Sequence, residues 1–199
     1  MHPGDQNGAI EDLSKIIELT SGHALGYYNR GNIYLELQRY DPAIADFTKA
    51  IEILGGLTNN YDKKAHGMSH NNRGNALAAK GDHKSALTDY DRALQVLPSS
   101  YEALTGRGAA QQNLGNFAAA VADYTRALEI VPKNVLILSN RASANEEIDK
   151  AAAVADYTRI IELAPDSAEA YARRGVALID LKRKPEAATD LRKAFQLDA

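Results

Sequence analysis

The chain has no cysteine and no tryptophan, and among its 199 residues there are only three phenylalanines, two methionines and six prolines. Without cysteine, disulfides and thiolate chemistry are excluded, while the compartment is left open. No apolar run approaches the roughly 18 residues of a membrane span, so no membrane insertion is expected. Positive charge is not in excess: 23 Lys and Arg against 26 Asp and Glu give a net charge of −3. A nucleic-acid scaffold would need a clustered basic face to displace counterions, and none is present. The opening residues, Met1 to Gly8, lack the basic and apolar regions of a secretory signal, so both the cytoplasm and an exported location with its signal removed stay open. There is no Gly-rich phosphate loop, and no histidine has a motif-supported serine, cysteine or carboxylate to activate. No catalytic residue, cofactor or metal is therefore expected.

What the chain does have is a phrase that returns. Asn29-Arg30-Gly31-Asn32 recurs as Asn72-Arg73-Gly74-Asn75, Gly106-Arg107-Gly108, Asn140-Arg141-Ala142 and Arg173-Arg174-Gly175. A second phrase keeps step, centred on Asp46-Phe47, Asp89-Tyr90, Asp123-Tyr124 and Asp156-Tyr157. Asp12 to Asp46, Asp89 to Asp123 and Asp156 to Asp190 are each 34 residues apart. Self-similarity at such a period is the signature of a solenoid, in which each unit buries its apolar face only against its neighbours. An extended surface of this kind favours binding over catalysis.

Within a repeat the apolar positions follow a helical period. From Tyr101, the residues Ala103, Leu104, Arg107, Gly108, Gln111 and Leu114 share one helical face until Gly115-Asn116 breaks it. A second helix carries Ala120, Val121, Tyr124, Ala127, Leu128 and Val131, and ends at Pro132, which lacks the amide the next turn needs. Two helices per repeat predict a stack of antiparallel pairs. Small residues recur in the first helix (Gly31, Gly74, Gly108, Ala142, Gly175), and large ones in the second (Leu13, Phe47, Tyr90, Tyr124, Tyr157, Leu191). Because a mid-helix glycine costs about 0.5–1 kcal/mol relative to alanine, these glycines are expected where another backbone comes close.

The pattern resembles the tetratricopeptide repeat family, with its small residues at repeat positions 8, 20 and 27, its aromatic at 24 and its proline at 32. The resemblance implies an all-α fold, a right-handed superhelical solenoid of antiparallel helix pairs, over nearly the whole chain. In that register there is a half repeat at 9–23, a first repeat at 24–57, an insertion at 58–66, and repeats at 67–100, 101–134, 135–167 and 168–199. Gly31 to Gly74 spans 43 residues, and the repeat from Val135 is one residue short near Asp149. Residues Thr58 to Asp62 read as a loop following Gly55-Gly56. Ile10, Leu13, Ile17 and Phe195 would lie near open ends and are candidates for an oligomer interface, so that Leu13→Asp would disperse an assembly.

Every full repeat has an arginine at position 7 (Arg30, Arg73, Arg107, Arg141, Arg174) and an aspartate at position 23 (Asp46, Asp89, Asp123, Asp156, Asp190). A planar guanidinium suits bidentate pairing with carboxylate, which predicts a repeated structural pair, with Asp12 as a further partner if pairing crosses repeats. The family resemblance places positions 2, 5, 6, 9, 12 and 13 on the groove. Asn29, Asn72 and Asn140 occupy position 6, and Asn32 and Asn75 occupy position 9. An asparagine amide carries a donor and an acceptor side by side, matching a peptide backbone. Tyr28 adds an apolar contact, and Arg173 replaces asparagine as an anion contact. Gly106 leaves a gap in the row. A carboxylate clamp of the chaperone-adaptor kind does not fit, because Tyr28, Thr105 and Glu169 stand where lysines are needed. His66 and His70, with Asp62 a turn before, have ligand-like spacing, but no motif surrounds them.

The resulting expectation is a noncatalytic scaffold that binds an extended peptide or a partner protein in its groove. The alternatives are a self-assembling module that oligomerises through its terminal repeats, and the repeat segment of a larger enzyme or regulator.

Overall fold

A computed structural model describes residues 3–20, 23–56 and 60–198, and these form eleven α-helices with no strand. Residues 1–110 and 111–199 make two compact units. The first holds α1 (Pro3–Leu19), α2 (Ala24–Glu36), α3 (Tyr40–Leu54), α4 (Asn60–Ala79), α5 (His83–Val96) and most of α6 (Tyr101–Asn113). The second holds the end of α6 with α7 (Phe117–Ile130), α8 (Val135–Ile148), α9 (Lys150–Leu163), α10 (Ala168–Asp180) and α11 (Lys184–Leu197). In both units successive helices pack as pairs, the all-α solenoid architecture expected from the period.

The turns inside the pairs share one device. The residue at repeat position 15 has positive φ in four repeats: Gln38 at 56°, Gly81 at 86°, Gly115 at 79° and Lys182 at 61°. A left-handed residue closes a helix by turning its last amides back onto the preceding carbonyls. The short repeat lacks this residue. There Asp149 ends α8 and also caps α9, its carboxylate accepting from the amides of Ala151 (3.0 Å) and Ala152 (3.1 Å). One missing residue thus removes the left-handed turn, and an aspartate cap takes its place.

Small and large residues meet as expected, but the intruder is a side chain and not a backbone. A Cβ on Gly31 would lie 2.9 Å from Phe47 Cε1, one on Gly74 2.9 Å from Tyr90 Cε1, and one on Gly175 2.9 Å from Leu191 Cγ. Each glycine is the socket for the large residue of its own repeat. Phe47, Tyr90 and Tyr124 are among the largest fully buried side chains. Surface ion pairs Lys80–Asp41 and Lys150–Asp180 add little, since exposed pairs of this kind contribute about 0–1 kcal/mol.

Two expectations change here. The insertion is not a loop from Asn60 onward, because α4 begins there and gains two extra turns before the repeat proper. Thr58 and Asn59 lie outside the described residues. At the other correction, Ile17 is buried and sits where a Cβ on Gly26 would be 2.8 Å from its Cγ1, while Ile10 and Leu13 are half-buried. Leu13→Asp would therefore loosen α1 itself and not report an assembly alone. Phe195 is 78% exposed.

Candidate functional site

The arginine and aspartate rows are structural. Arg30 donates through Nε and Nη2 to both oxygens of Asp46 (2.7 Å each), Arg73 likewise to Asp89 (2.7 Å each), Arg141 to Asp156 (3.0 and 2.6 Å) and Arg174 to Asp190 (2.7 and 2.8 Å). The third guanidinium nitrogen reaches back to the preceding repeat, where Nη1 donates to Ser14, Thr48, Thr125 and Thr158 respectively. Arg107 meets Asp91 at the equivalent place. So each arginine ties its own repeat to the one before. The cross-repeat partner is the residue two beyond each aspartate, and Asp12 pairs instead with Lys15. That hydroxyl recurrence is visible in the sequence as Ser14, Thr48, Thr125 and Thr158.

His70 is committed to the same network. Its Nδ1 lies 2.8 Å from Asp89 Oδ1, and its ring packs edge-on to His66 with centroids 4.8 Å apart. Burial pushes the Asp89 carboxyl upward, but the bonds from Arg73 and His70 outweigh it and hold the group below its ordinary range. Burial, and then His70, lower the pKa of His66. Among the described residues no group of three or more His, Asp or Glu could hold a metal ion.

The asparagine row divides into engaged and unengaged members. Asn71 Nδ2 donates to Asn72 Oδ1 (2.9 Å), and Asn72 Nδ2 donates to Asn32 Oδ1 (2.8 Å), with Tyr28 Oη 3.4 Å away. The amides thus knit α4 to α2 instead of lying open. Asn75 accepts from the Tyr90 hydroxyl (2.8 Å) and so positions a buried ring. Asn29 is exposed, Asn140 is half-buried, and neither side chain makes a hydrogen bond among the described residues. Asn71 Oδ1 is buried with no partner, a situation that costs about 1–3 kcal/mol until a donor arrives.

Gly106, the gap in the row, has a packing reason. A Cβ there would stand 2.6 Å from both Cε1 and Cζ of Tyr90 and 2.9 Å from its hydroxyl. The ring of the preceding repeat fills the space an asparagine would need. Arg173 is shared by two carboxylates, donating to Glu169 (3.1 Å) and Glu146 (3.4 Å), and Glu146 also accepts from Tyr157 (2.7 Å). Burial, and then the bond to Glu146, push the Tyr157 phenol well above its ordinary value, so it remains a donor. With two carboxylates around one guanidinium, this spot suits a basic or neutral polar group better than an anion.

Two clefts sit on these positions. In the first unit a cleft of about 620 Å³ is lined by Tyr28, Met68, Asn71, Asn72, Leu97 and Pro98, with Lys64 and Glu102 also on its lining. In the second unit a cleft of about 300 Å³ is of mixed character, lined by Ser139, Asn140, Tyr157, Glu169 and Arg173 together with Val135 and Ile160. Leu97 and Pro98 reach the first cleft from the turn that follows α5, away from the groove positions of the repeat. The second gathers side chains from α8, α9 and α10. Among the described residues no helix is long and apolar enough to cross a membrane.

The sequence profile described as tetratricopeptide repeat matches residues 24–54, and a second profile of the same description matches residues 71–135 and 141–199. No curated protein matches the chain. Among solved structures it is similar to YrrB, described as a TPR protein with an unusual peptide-binding site, at a TM-score of 0.79 and 21% identity, covering 94% of this chain and 93% of that one. It is also similar to MamA from Desulfovibrio magneticus RS-1 (TM-score 0.76, 17% identity, 88% and 94% covered). BtubC from P. vanneervenii is a third (TM-score 0.79, 11% identity, 98% and 89% covered). At these identities the structural likeness speaks to the fold. Arrays of this kind are in general noncatalytic scaffolds for protein–protein interaction, and the repeated phrases, the helix pairs and the two profiles together make this chain a member of the tetratricopeptide repeat family.

Proposed function

We propose that this scaffold binds extended peptide segments of a partner protein, with the repeats bounded as the sequence register places them. The observation that carries the reading is the pairing of a roomy, largely apolar cleft with amide side chains at repeat positions 5, 6 and 9. Asn29 and Asn140 are the amides offered to a peptide backbone, whereas Asn72 and Asn32 brace each other and Asn75 braces Tyr90. Tyr28 supplies an apolar wall. The peptide-binding site named for YrrB supports the same reading by analogy of fold. The test is to select 12-residue peptides from a random displayed library on the full chain and measure their affinity by fluorescence anisotropy. Asn29→Ala should weaken peptides held by the first unit and Asn140→Ala those held by the second, each by about tenfold, the worth of one or two hydrogen bonds, with no change in thermal unfolding. Selection that enriches nothing would end this reading.

A second reading, self-association, is favoured by one observation. Phe195 is 78% exposed on α11, and Val176 and Ile179 on α10 are 55% and 46% exposed. If these residues join copies of the chain, light scattering coupled to size exclusion should show a species heavier than one chain. Phe195→Ser should then disperse it while changing stability by less than about 0.5 kcal/mol. A mass of one chain over a tenfold concentration range removes the reading.

A further inference from the structure

The feature of the first unit that the repeat pattern does not account for is the extra length of α4. Its residues 60–66 precede the repeat proper and continue the helix for two turns. This extension is pinned on both flanks. On one flank Ala65 is buried in a cluster with Ala24, Ala50 and Leu54. On the other flank Gly67 lies so close to Leu97 that a Cβ would meet Leu97 Cδ1 at 2.8 Å and Cγ at 2.9 Å. Held in this way, α4 carries Lys64 from the extension and Met68, Asn71 and Asn72 from the repeat proper into the cleft at spacings of three and four residues, one face of one helix. Leu97 and Pro98 face them from the end of α5.

The chemistry of these walls is specific. Met68 is 37% exposed, and its flexible thioether adapts to an irregular apolar guest. Lys64 is exposed and makes no ion pair among the described residues. Asn71 Oδ1 is a buried acceptor that lacks a donor. The cleft volume of about 620 Å³ lies within the range of ligand sites, roughly 300–1,000 Å³.

We infer that the extended α4, with Leu97 and Pro98, forms a specificity pocket for one bulky apolar side chain of a bound peptide, with Lys64 selecting an acidic residue beside it. The inference rests on the peptide reading above and adds to it the side chains that the chain selects. The apolar guest packs against Met68, Leu97 and Pro98. The neighbouring carboxylate pairs with Lys64, and a main-chain amide of the guest supplies the donor that Asn71 lacks. The soft terminal torsion of asparagine lets that oxygen turn toward it, exchanging the Nδ2 bond to Asn72 for the bond to the guest.

The same displayed library of 12-residue peptides, selected in parallel on the wild-type chain, Met68→Asp and Lys64→Glu, tests this. Peptides enriched on the wild type should share a Leu, Ile, Met or Phe next to Asp or Glu. A fluorescein-labelled copy of the best peptide should lose at least about tenfold in affinity on Met68→Asp, the scale of burying one large apolar side chain. Lys64→Glu should reverse the preference between versions of that peptide carrying Glu or Lys beside the apolar residue. Both substituted side chains are solvent-accessible, so circular dichroism melts should match the wild type. Enriched peptides without an apolar anchor, or equal affinity for wild type and Met68→Asp, would overturn the pocket. If binding in that case still depends on Asn29 or Asn140, peptide binding stands without the pocket. Enrichment of nothing at all would remove both.

Discussion

Arg73→Ala is expected to cost the chain about 3–5 kcal/mol of stability, the range for removing one partner of a buried ion pair. The reason lies in what is left behind. Asp89 has only 3% of its side chain exposed, and two of its three side-chain hydrogen bonds come from Arg73. Without them the carboxylate is buried with His70 as its remaining partner, and the tie from Arg73 to Thr48 of the preceding repeat is lost as well. Urea unfolding at neutral pH measures the loss. Its pH dependence separates this cause from simple loss of packing. In the wild type the Asp89 carboxyl is held below its ordinary value of 3.8, so its contribution is fully present above that pH and is lost as pH falls through the depressed value. In Arg73→Ala burial is no longer outweighed, and the group should take up a proton at milder acidity. The gap between wild type and variant should then narrow as pH is lowered from 7 toward 4. A gap that stays constant over that range would show that the charge on Asp89 is not what the arginine compensates. Arg73→Lys, which keeps charge but not the planar fork, should fall between the two.

Gly106→Asn is the second large effect, and it opposes what the repeat consensus invites. Placing asparagine there would add a member to the row at position 6, yet the variant is expected to lose about 3 kcal/mol and gain no affinity for peptide. Even the first side-chain carbon would approach two ring atoms of Tyr90 at 2.6 Å, well inside contact distance. Tyr90 is also confined by its own repeat, because it packs so close to Gly74 that a Cβ there would lie 2.9 Å from its Cε1, and its hydroxyl is held by Asn75. Overpacking of a filled core typically costs about 1–3 kcal/mol, and asparagine adds a polar group to that clash. The double variant with Tyr90→Ala should recover part of the loss caused by Gly106→Asn, which a double-mutant cycle reads as coupling. If Gly106→Asn unfolds at the wild-type urea concentration, the ring must have room that the packing denies.

How much of this was legible beforehand follows from what each feature depends on. The sockets for Phe47, Tyr90 and Leu191 and the pairs Arg73–Asp89 and Arg174–Asp190 join the two helices of one repeat, at an offset of sixteen residues. A fixed offset that recurs down the chain prints itself on the sequence. The kind of neighbour differs from the expectation: the glycines face side chains and not backbones, because the ring or leucine at position 24 fills the space before a second backbone can reach it. Asn60, Tyr61 and Asp62, which the sequence places in a loop, open α4 instead, their local preference for turns yielding to burial of Ala65 and close packing at Gly67.

The site depends on side chains that reach one another from helices of different repeats. Asn72 and Asn29 are the same residue at the same repeat position, yet one is bonded to Asn32 and the other lies in solvent. The difference is set by which side chains of the neighbouring first helix reach them, and no offset in the sequence encodes that. Arg173 likewise changes from an anion contact to a neutralised cation once Glu146 of the preceding repeat arrives beside it. By itself, then, the sequence determined the family, the helix pairs and the pairing of large with small and of arginine with aspartate, since each follows from periodicity within one repeat. Only the tertiary structure decided which asparagines remain unengaged and where the clefts open, because those properties belong to contacts between repeats.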